Sequence, residues 1–307
     1  MLSWRQWSEE AQWARCPSGC DRQAFYGWAR RLGAFCRVRA APICESGMRM
    51  NYECSSVDPV RLLWTGGWDS TFQLLQLLLS EKRRVEPHYL FDEDRPSAST
   101  ELLTMKRIRT RIREIDEAAA ELLQPTKLSL VSEIPTCPRV THAYESIKSG
   151  HVIGRQYDWL ARYCEDQGIS RLQLCIHKDD KAATVVAPVT TKAHRDWRPV
   201  TLDDRYSHTD VHVLFRRFEF PVLERSKTDM AHIARERGWG QIMEMTWFCH
   251  NPMNGKPCGR CNPCIYTIEE GLAWRVPIHR RALGRLHRAS VQPAKKCVKK
   301  LVRRLHR

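Results

Sequence analysis

The stretch Val60-Arg-Leu-Leu-Trp-Thr-Gly-Gly-Trp-Asp-Ser-Thr-Phe-Gln-Leu-Leu-Gln-Leu-Leu-Leu-Ser-Glu81 decides how the whole chain is read. Val60 to Trp64 is a short apolar run of the kind that forms a buried parallel strand. Gly66 and Gly67 then permit a sharp turn and a close approach of backbone to another molecule, with no Cβ in the way. Asp69, Ser70 and Thr71 open a helix whose apolar body runs from Phe72 to Leu79. Strand, glycine loop and helix N-terminus in this order make an anion cradle, because unpaired N–H groups and the positive end of the helix dipole face the loop. The hydroxyls of Thr65, Ser70 and Thr71 add donors, and Asp69 is placed to hold a cation that accompanies a polyphosphate. No Gly-Lys-Ser/Thr follows, so the loop is not a Walker A motif. The plain alternative is a strand-to-helix turn with glycines used for the turn alone.

Working outward, Val85 to Phe91 reads as a second strand that ends in the acidic loop Asp92-Glu93-Asp94-Arg95-Pro96. Ser97 or Ser99 is positioned to cap a long amphipathic helix reaching about Leu123, and Lys127 to Val131 reads as a third strand. Gly154-Arg155-Gln156 forms a turn before a helical pattern from Asp158 to Gln167, with an arginine able to fork onto carboxylate or phosphate. Arg171 to His177 reads as a fourth strand, leading into Lys178-Asp179-Asp180. Val185-Val186 and Val211 to Phe215 are expected as strands around a Trp197-containing loop, and Phe218 to Leu223 as the fifth strand of the sheet. Ser226-Lys227-Thr228-Asp229 caps a helix from Met230 to Arg237 that Gly238 ends. Such alternation predicts an α/β fold with a doubly wound, parallel, five-stranded sheet and ligands at its C-terminal edge.

A second motif follows: Cys249-His-Asn-Pro-Met-Asn-Gly-Lys-Pro-Cys258-Gly-Arg-Cys261-Asn-Pro-Cys264. The C-x8-C-x2-C-x2-C spacing, with Gly and Pro at the turns, fits a tetrahedral thiolate site for Zn²⁺. Four protein ligands close the coordination sphere, so the metal is expected to be structural. An iron–sulfur cluster also takes four thiolates, but this run lacks the fuller ferredoxin spacing.

Thr65-Gly66-Gly67-Trp68-Asp69-Ser70 resembles the Ser-Gly-Gly-x-Asp-Ser loop of the PP-loop ATP pyrophosphatases. With the four-cysteine knuckle, the chain is similar over about residues 60 to 275 to the 7-cyano-7-deazaguanine (preQ0) synthase branch of that family. Further matches are Val152-Ile153-Gly154-Arg155-Gln156, Phe220-Pro221-Val222-Leu223 with Ser226-Lys227-Thr228-Asp229, and Thr246-Trp247-Phe248-Cys249. The resemblance implies an adenine-nucleotide α-hydrolase-like sheet and the use of ATP, Mg²⁺ and Zn²⁺. It implies nucleotide contacts along Trp64, Thr65, Gly66, Gly67, Trp68, Asp69, Ser70 and Thr71, catalytic roles for Asp69, Lys227 and Arg155, and metal ligation by Cys249, Cys258, Cys261 and Cys264. The family adenylates a carboxylate, lets ammonia displace AMP to give an amide, and repeats the activation to give a nitrile.

The departures fall where a substrate is read. Asp94-Arg95-Pro96 replaces the family's Tyr-Gly-Gln, and His177-Lys178-Asp179-Asp180 leads into sequence unrelated to its Gly-Tyr-Pro-Asp-Cys-Arg-Pro loop. The expected partners are therefore a small-molecule carboxylate, a deazapurine or another acid, and ammonia or an amine, in a modification or defence pathway. Two other readings stay open: a PP-loop enzyme of tRNA modification such as thiolation, and a nucleic-acid-binding protein on a PP-loop scaffold.

The whole chain of 307 residues carries a formal charge of +15, unevenly placed: residues 275–307 hold 12 Lys and Arg and no acid. Such a tail suits nucleic-acid phosphates or simple solvation. Residues 1–50, with Trp4, Trp7, Trp13 and Trp28, read as a helical appendage, and Cys16, Cys20, Cys36 and Cys44 offer a loose second metal set. The expected divisions are this appendage, a nucleotide-binding unit over 51–245, a zinc motif and helix over 246–275, and the basic tail over 276–307. No apolar run is long enough for a membrane span and no secretory signal is visible, so with 13 cysteines a reduced cytoplasmic setting is expected. The expected assembly is a homo-oligomer.

Overall fold

The computed structural model describes residues 58–191 and 198–286. The readings made for residues 1–50, including the second cysteine set, and for most of the basic tail lie outside them. Five parallel strands form one sheet: β1 (Val60–Leu63), β2 (Val85–Phe91), β3 (Lys127–Leu130), β4 (Leu172–Gln173) and β5 (Phe218–Glu219), in the order β3-β2-β1-β4-β5. Successive strands step outward from β1 through β2 to β3, and the chain then crosses to the other side of β1. The direction of winding thus reverses between β1 and β4, where an open α/β sheet leaves a crevice at its C-terminal edge.

Helices cover both faces. On one, α1 (Trp68–Leu75, continued by a wider turn over Gln76–Ser80) and α2 (Ala98–Ile115) pack with α8 (Lys227–Glu236) and α9 (Gly240–Met245). The core there holds Leu62, Phe72, Leu74, Ile108, Met230 and Ile242, all essentially inaccessible to solvent. On the other face, α4 (Pro138–Gly150), α5 (Gln156–Asp166) and α7 (Asp210–Phe215) enclose Val140, Leu160, Leu172, Phe215 and Phe218. Alternate residues of the strands feed the two cores, Tyr89 one and Leu90 the other, as the pleat of a sheet covered on both sides requires.

Five expected elements come out differently, one of them the segment Phe218 to Leu223, whose strand ends at Glu219. The single helix to Leu123 is two, because the backbone of Asp116 is extended (φ −152°, ψ 98°) and its carboxylate accepts the Ala119 N–H at 2.8 Å, starting α3 (Glu117–Glu121). Val185-Val186 lies in the short helix α6 (Ala183–Val186), and Val211 to Phe215 lies in α7, whose first turn Thr209 caps by accepting the His212 N–H. Burial in the second core and a good cap override the strand preference of these β-branched residues. The fourth strand is shorter than Arg171–His177. After Leu174 has bonded Glu219, the Ile176 N–H turns back to the Leu174 carbonyl, and the chain leaves the sheet towards the mouth of the crevice.

Candidate active site

The loop from β1 to α1 is held in shape from behind. Gly66 has φ +69°, and a Cβ there would lie 3.2–3.3 Å from Met105, Thr104 and the Glu101 carbonyl on α2, so the position needs glycine twice over. The first bond inside α1 runs from Thr71 N–H to the Gly67 carbonyl. The amides of Trp68, Asp69 and Ser70 precede it and lie where a helix has no internal partners for its N–H groups. Ser70 Oγ accepts from Thr65 N–H at 3.5 Å.

The side chains named in this stretch divide by direction. The Trp64 ring is wholly buried in the core, where its Nε1 donates to Thr71 Oγ1 at 3.1 Å and the Arg109 guanidinium lies 5.5 Å from the ring centre. These two residues brace the loop through their side chains. Trp68 Nε1 and Asp69 Oδ1, by contrast, are buried without a hydrogen-bond partner. A buried polar group is normally satisfied, so an unpaired donor and an unpaired acceptor beside an amide cradle fit a bound polyphosphate and its cation.

Beside the loop stands a charged group assembled from four segments, Asp69 of the loop itself among them. Lys227, at the first turn of α8, places Nζ 2.7 Å from Glu270 Oε2 and 3.8 Å from Asp69 Oδ2. His177, where the chain emerges after β4, has Nε2 3.4 Å from Glu270 Oε1 and Nδ1 3.8 Å from Asp69 Oδ2. Each placement has a local cause. A capping box between Ser226 and Asp229 starts α8 with Lys227 facing inwards, and the Lys178 N–H bonds the Arg225 carbonyl, tying the β4 exit to the segment before α8. Glu270 follows α10 (Asn262–Glu269). Its neighbour Gly271 has φ +86° with Thr228 so close that a Cβ would approach it to 2.7 Å, which seats Glu270 against Lys227.

The protonation states follow from these contacts. Burial pushes the Glu270 carboxyl up, but His177 and Lys227 beside it pull it down to about 2. Burial pushes the Lys227 ammonium down, and the charges of Asp69 and Glu270 more than reverse this, so its pKa rises and the charge is kept. His177 behaves alike: burial lowers it, and Glu270 and Asp69 raise it further. Asp180, in the same loop, is pushed up by burial.

Of the three residues implied as catalytic, Asp69 and Lys227 are thus brought together. Arg155 is exposed just before α5, and the contacts that unite the cluster do not include it. His177, Asp180 and Glu270 were not singled out from sequence. The first two stand at the end of an expected strand, a position that points to a site in this architecture. No local signal marks Glu270.

The four cysteines of the knuckle converge, their sulfurs all within 4.8 Å of one another. Individual separations of 3.4, 3.8 and 3.9 Å match the edge of about 3.8 Å that a tetrahedron with metal–sulfur bonds of roughly 2.3 Å demands. Backbone N–H groups of Cys258 and Cys261 point at the sulfurs of Cys249 and Cys258 at 3.2 and 3.3 Å, as thiolate acceptors require. The donor set and its spacing fit a zinc knuckle, with no position left for a substrate. The knuckle also bears on the loop. The Trp247 N–H bonds the Gly66 carbonyl at 2.9 Å, and the Arg275 guanidinium lies over both the Trp68 and Phe248 rings while bonding the Thr246 carbonyl at 2.5 Å.

Against this geometry, the family model described as "Queuosine biosynthesis protein QueC" matches residues 60–272. The chain belongs to this family. The QueC family is the preQ0 synthase family of the PP-loop superfamily, so the chain is a QueC-like, ATP-using PP-loop enzyme. The matched span opens with β1 and closes just beyond Glu270, and so includes the glycine loop, Lys227 and all four knuckle cysteines. No curated protein matches the chain. Among the described residues, no helix is long and apolar enough to cross a membrane.

Proposed function

We propose that this QueC-like chain is an ATP-dependent carbon–nitrogen ligase that adenylates a substrate carboxylate and passes the acyl group to ammonia or an amine. A carboxylate is a poor electrophile. Its oxygen attacks the α-phosphorus of ATP, the bond between the α-phosphorus and the bridging oxygen breaks, and pyrophosphate leaves. The acyl adenylate then accepts nitrogen: the C–N bond forms, the C–O bond to AMP breaks, and AMP departs with the electron pair. Ammonium gives one proton to solvent to become ammonia, whose lone pair attacks, and a second proton leaves to solvent as the amide forms.

The observation that carries this reading is the pairing of an amide cradle with Lys227 and Asp69, charged groups 3.8 Å apart beside it. The amides of Trp68, Asp69 and Ser70 would bind the departing pyrophosphate as charge develops on it, with the Trp68 Nε1 and the Ser70 hydroxyl as further donors. Lys227 would swing from Glu270 and Asp69 to the polyphosphate. Asp69 Oδ1, the unpaired oxygen, would hold Mg²⁺, which when bound neutralises charge on the phosphates. Zn²⁺ at Cys249, Cys258, Cys261 and Cys264 would keep Trp247 against the loop.

Thiolation of tRNA is the weaker reading. It calls for a reactive sulfur, and Cys175, which feels the Asp69 charge, has its thiol pushed well above the ordinary range by burial first and that charge second. The test is product identity. With ATP, ammonium and a panel of carboxylates that includes the deazapurine acid, the products are AMP, pyrophosphate and an amide or nitrile. Formation of ADP, or sulfur transfer to RNA under the same conditions, contradicts the reading.

A further inference from the structure

The crevice has two halves of opposite character. One is the amide cradle, which selects anions. The other sets the carboxylates of Asp69 and Glu270 around Lys227 and the His177 ring. Glu270 there takes a cation, and the structure already seats an ammonium group on it: Lys227 Nζ, 2.7 Å from Glu270 Oε2.

Lys227 has two claims on it. When its charge turns to a polyphosphate, Glu270 is left buried with only the 3.4 Å approach of His177, an arrangement that is costly unless another cation arrives. Beside it, His177 is a second group in want of a partner. Its side chain is 4% exposed, and neither ring nitrogen completes a hydrogen bond. The 3.4 Å approach to Glu270 is an ion-pair contact without the alignment of a hydrogen bond. A small N–H donor between Glu270 and His177 would satisfy both once the imidazole has given up its second proton and one nitrogen accepts.

We propose that Glu270 and His177 form the subsite that holds the ammonium or primary-amine nucleophile once Lys227 has turned to the polyphosphate. The inference rests on the ligase reading and adds to it where the nitrogen enters. Magnesium is a poorer occupant, since it demands near-octahedral oxygen ligands and the imidazole faces the same space. The subsite lies across the winding reversal from the glycine loop, so a nitrogen held there and an acyl adenylate held by the loop share one crevice. Because Lys227 blocks Glu270 until nucleotide is bound, ammonium is predicted to bind after ATP.

Rubidium, a monovalent cation close in size to ammonium, is the probe. Crystals of the full chain are grown with α,β-methylene-ATP and magnesium, soaked in rubidium chloride, and measured at the rubidium absorption edge. An anomalous peak between Glu270 and His177 is expected. Nucleotide bound at the loop with no rubidium at that place overturns the subsite while leaving the ligase reading intact. Manganese replacing rubidium there, in a parallel soak, also overturns it, and absence of nucleotide from the loop removes both proposals. In solution, Glu270→Gln is expected to raise half-saturating ammonium by about tenfold or more, well beyond any change for ATP. Equal changes for the two, or none for ammonium, contradict the assignment.

Discussion

The glycine loop takes all its parts from consecutive residues, Trp64 to Thr71, whereas the charge cluster that meets it at Asp69 draws His177, Lys227 and Glu270 from three further segments. The loop works through backbone: Gly66 supplies a left-handed turn, α1 supplies unpaired amides, and Trp64 and Thr71 lock the shape from behind. The cluster works through ionised side chains whose states are set by one another. A backbone site is as stable as the elements that carry it, and a charge cluster is only as stable as its pairing. Substitutions should therefore harm the two halves in different ways.

The largest effect is expected where the comparison breaks down, because the knuckle supports both halves: Trp247 grips the loop and α10 delivers Glu270. Cys258→Ser should abolish stoichiometric zinc, and since a structural zinc is worth on the order of 10 kcal/mol of folding energy in small domains, the region from Thr246 onward should lose its protection in hydrogen exchange. Retained zinc and unchanged exchange would mean that the cysteines are not its ligands.

Next in size is Lys227→Ala. It strands Glu270 as a buried, unpaired carboxylate, and removing one partner of such a pair costs roughly 3–5 kcal/mol. Chemical denaturation should show this loss, and the double variant with Glu270→Gln should recover part of it. Additive losses would show that the two residues do not act as a pair. Gly66→Ala should cost less, about 1–3 kcal/mol of backbone strain, yet it reshapes the cradle itself. Its signature is a modest change in denaturation midpoint with a large loss of nucleotide affinity, whereas Lys227→Ala is expected to lose both.

What could be read from the chain follows the same division. The glycine loop and the knuckle were legible because their chemistry is contiguous: a turn, a helix start, and four thiols at fixed spacing. The strand order at their back was legible as a class, since Val85 to Phe91 and its alternation with helices leave few alternatives. Val211 to Phe215 misled because β-branched residues carry no record of the Thr209 cap or of the core that buries them as helix. Arg155 looked like a forked anion ligand because Gly154-Arg155-Gln156 is a local pattern, and nothing local says which way it faces. Glu270 had no signature at all; its place depends on Gly271 meeting Thr228, two segments distant in sequence.

The smallest predicted effect is one of pH and touches the cluster alone. Glu270 is held down to about 2 from an ordinary 4.5, so its contribution to stability is complete above about 4.5 and fades as pH falls towards 2. Acid unfolding of the wild-type chain should be steeper across that window than that of Glu270→Gln. Parallel curves would show that the carboxylate is not depressed in the folded state.

The central claim is that the backbone around Gly66 and Gly67 binds the pyrophosphate half of ATP with Asp69 beside it. The most direct test is phosphorus NMR of the products formed from ATP with ammonium and the carboxylate panel, run for the wild-type chain and for Asp69→Asn. The account predicts AMP and pyrophosphate from the first and a loss of turnover in the second. ADP and phosphate from the wild type, or undiminished AMP formation by Asp69→Asn, would contradict it.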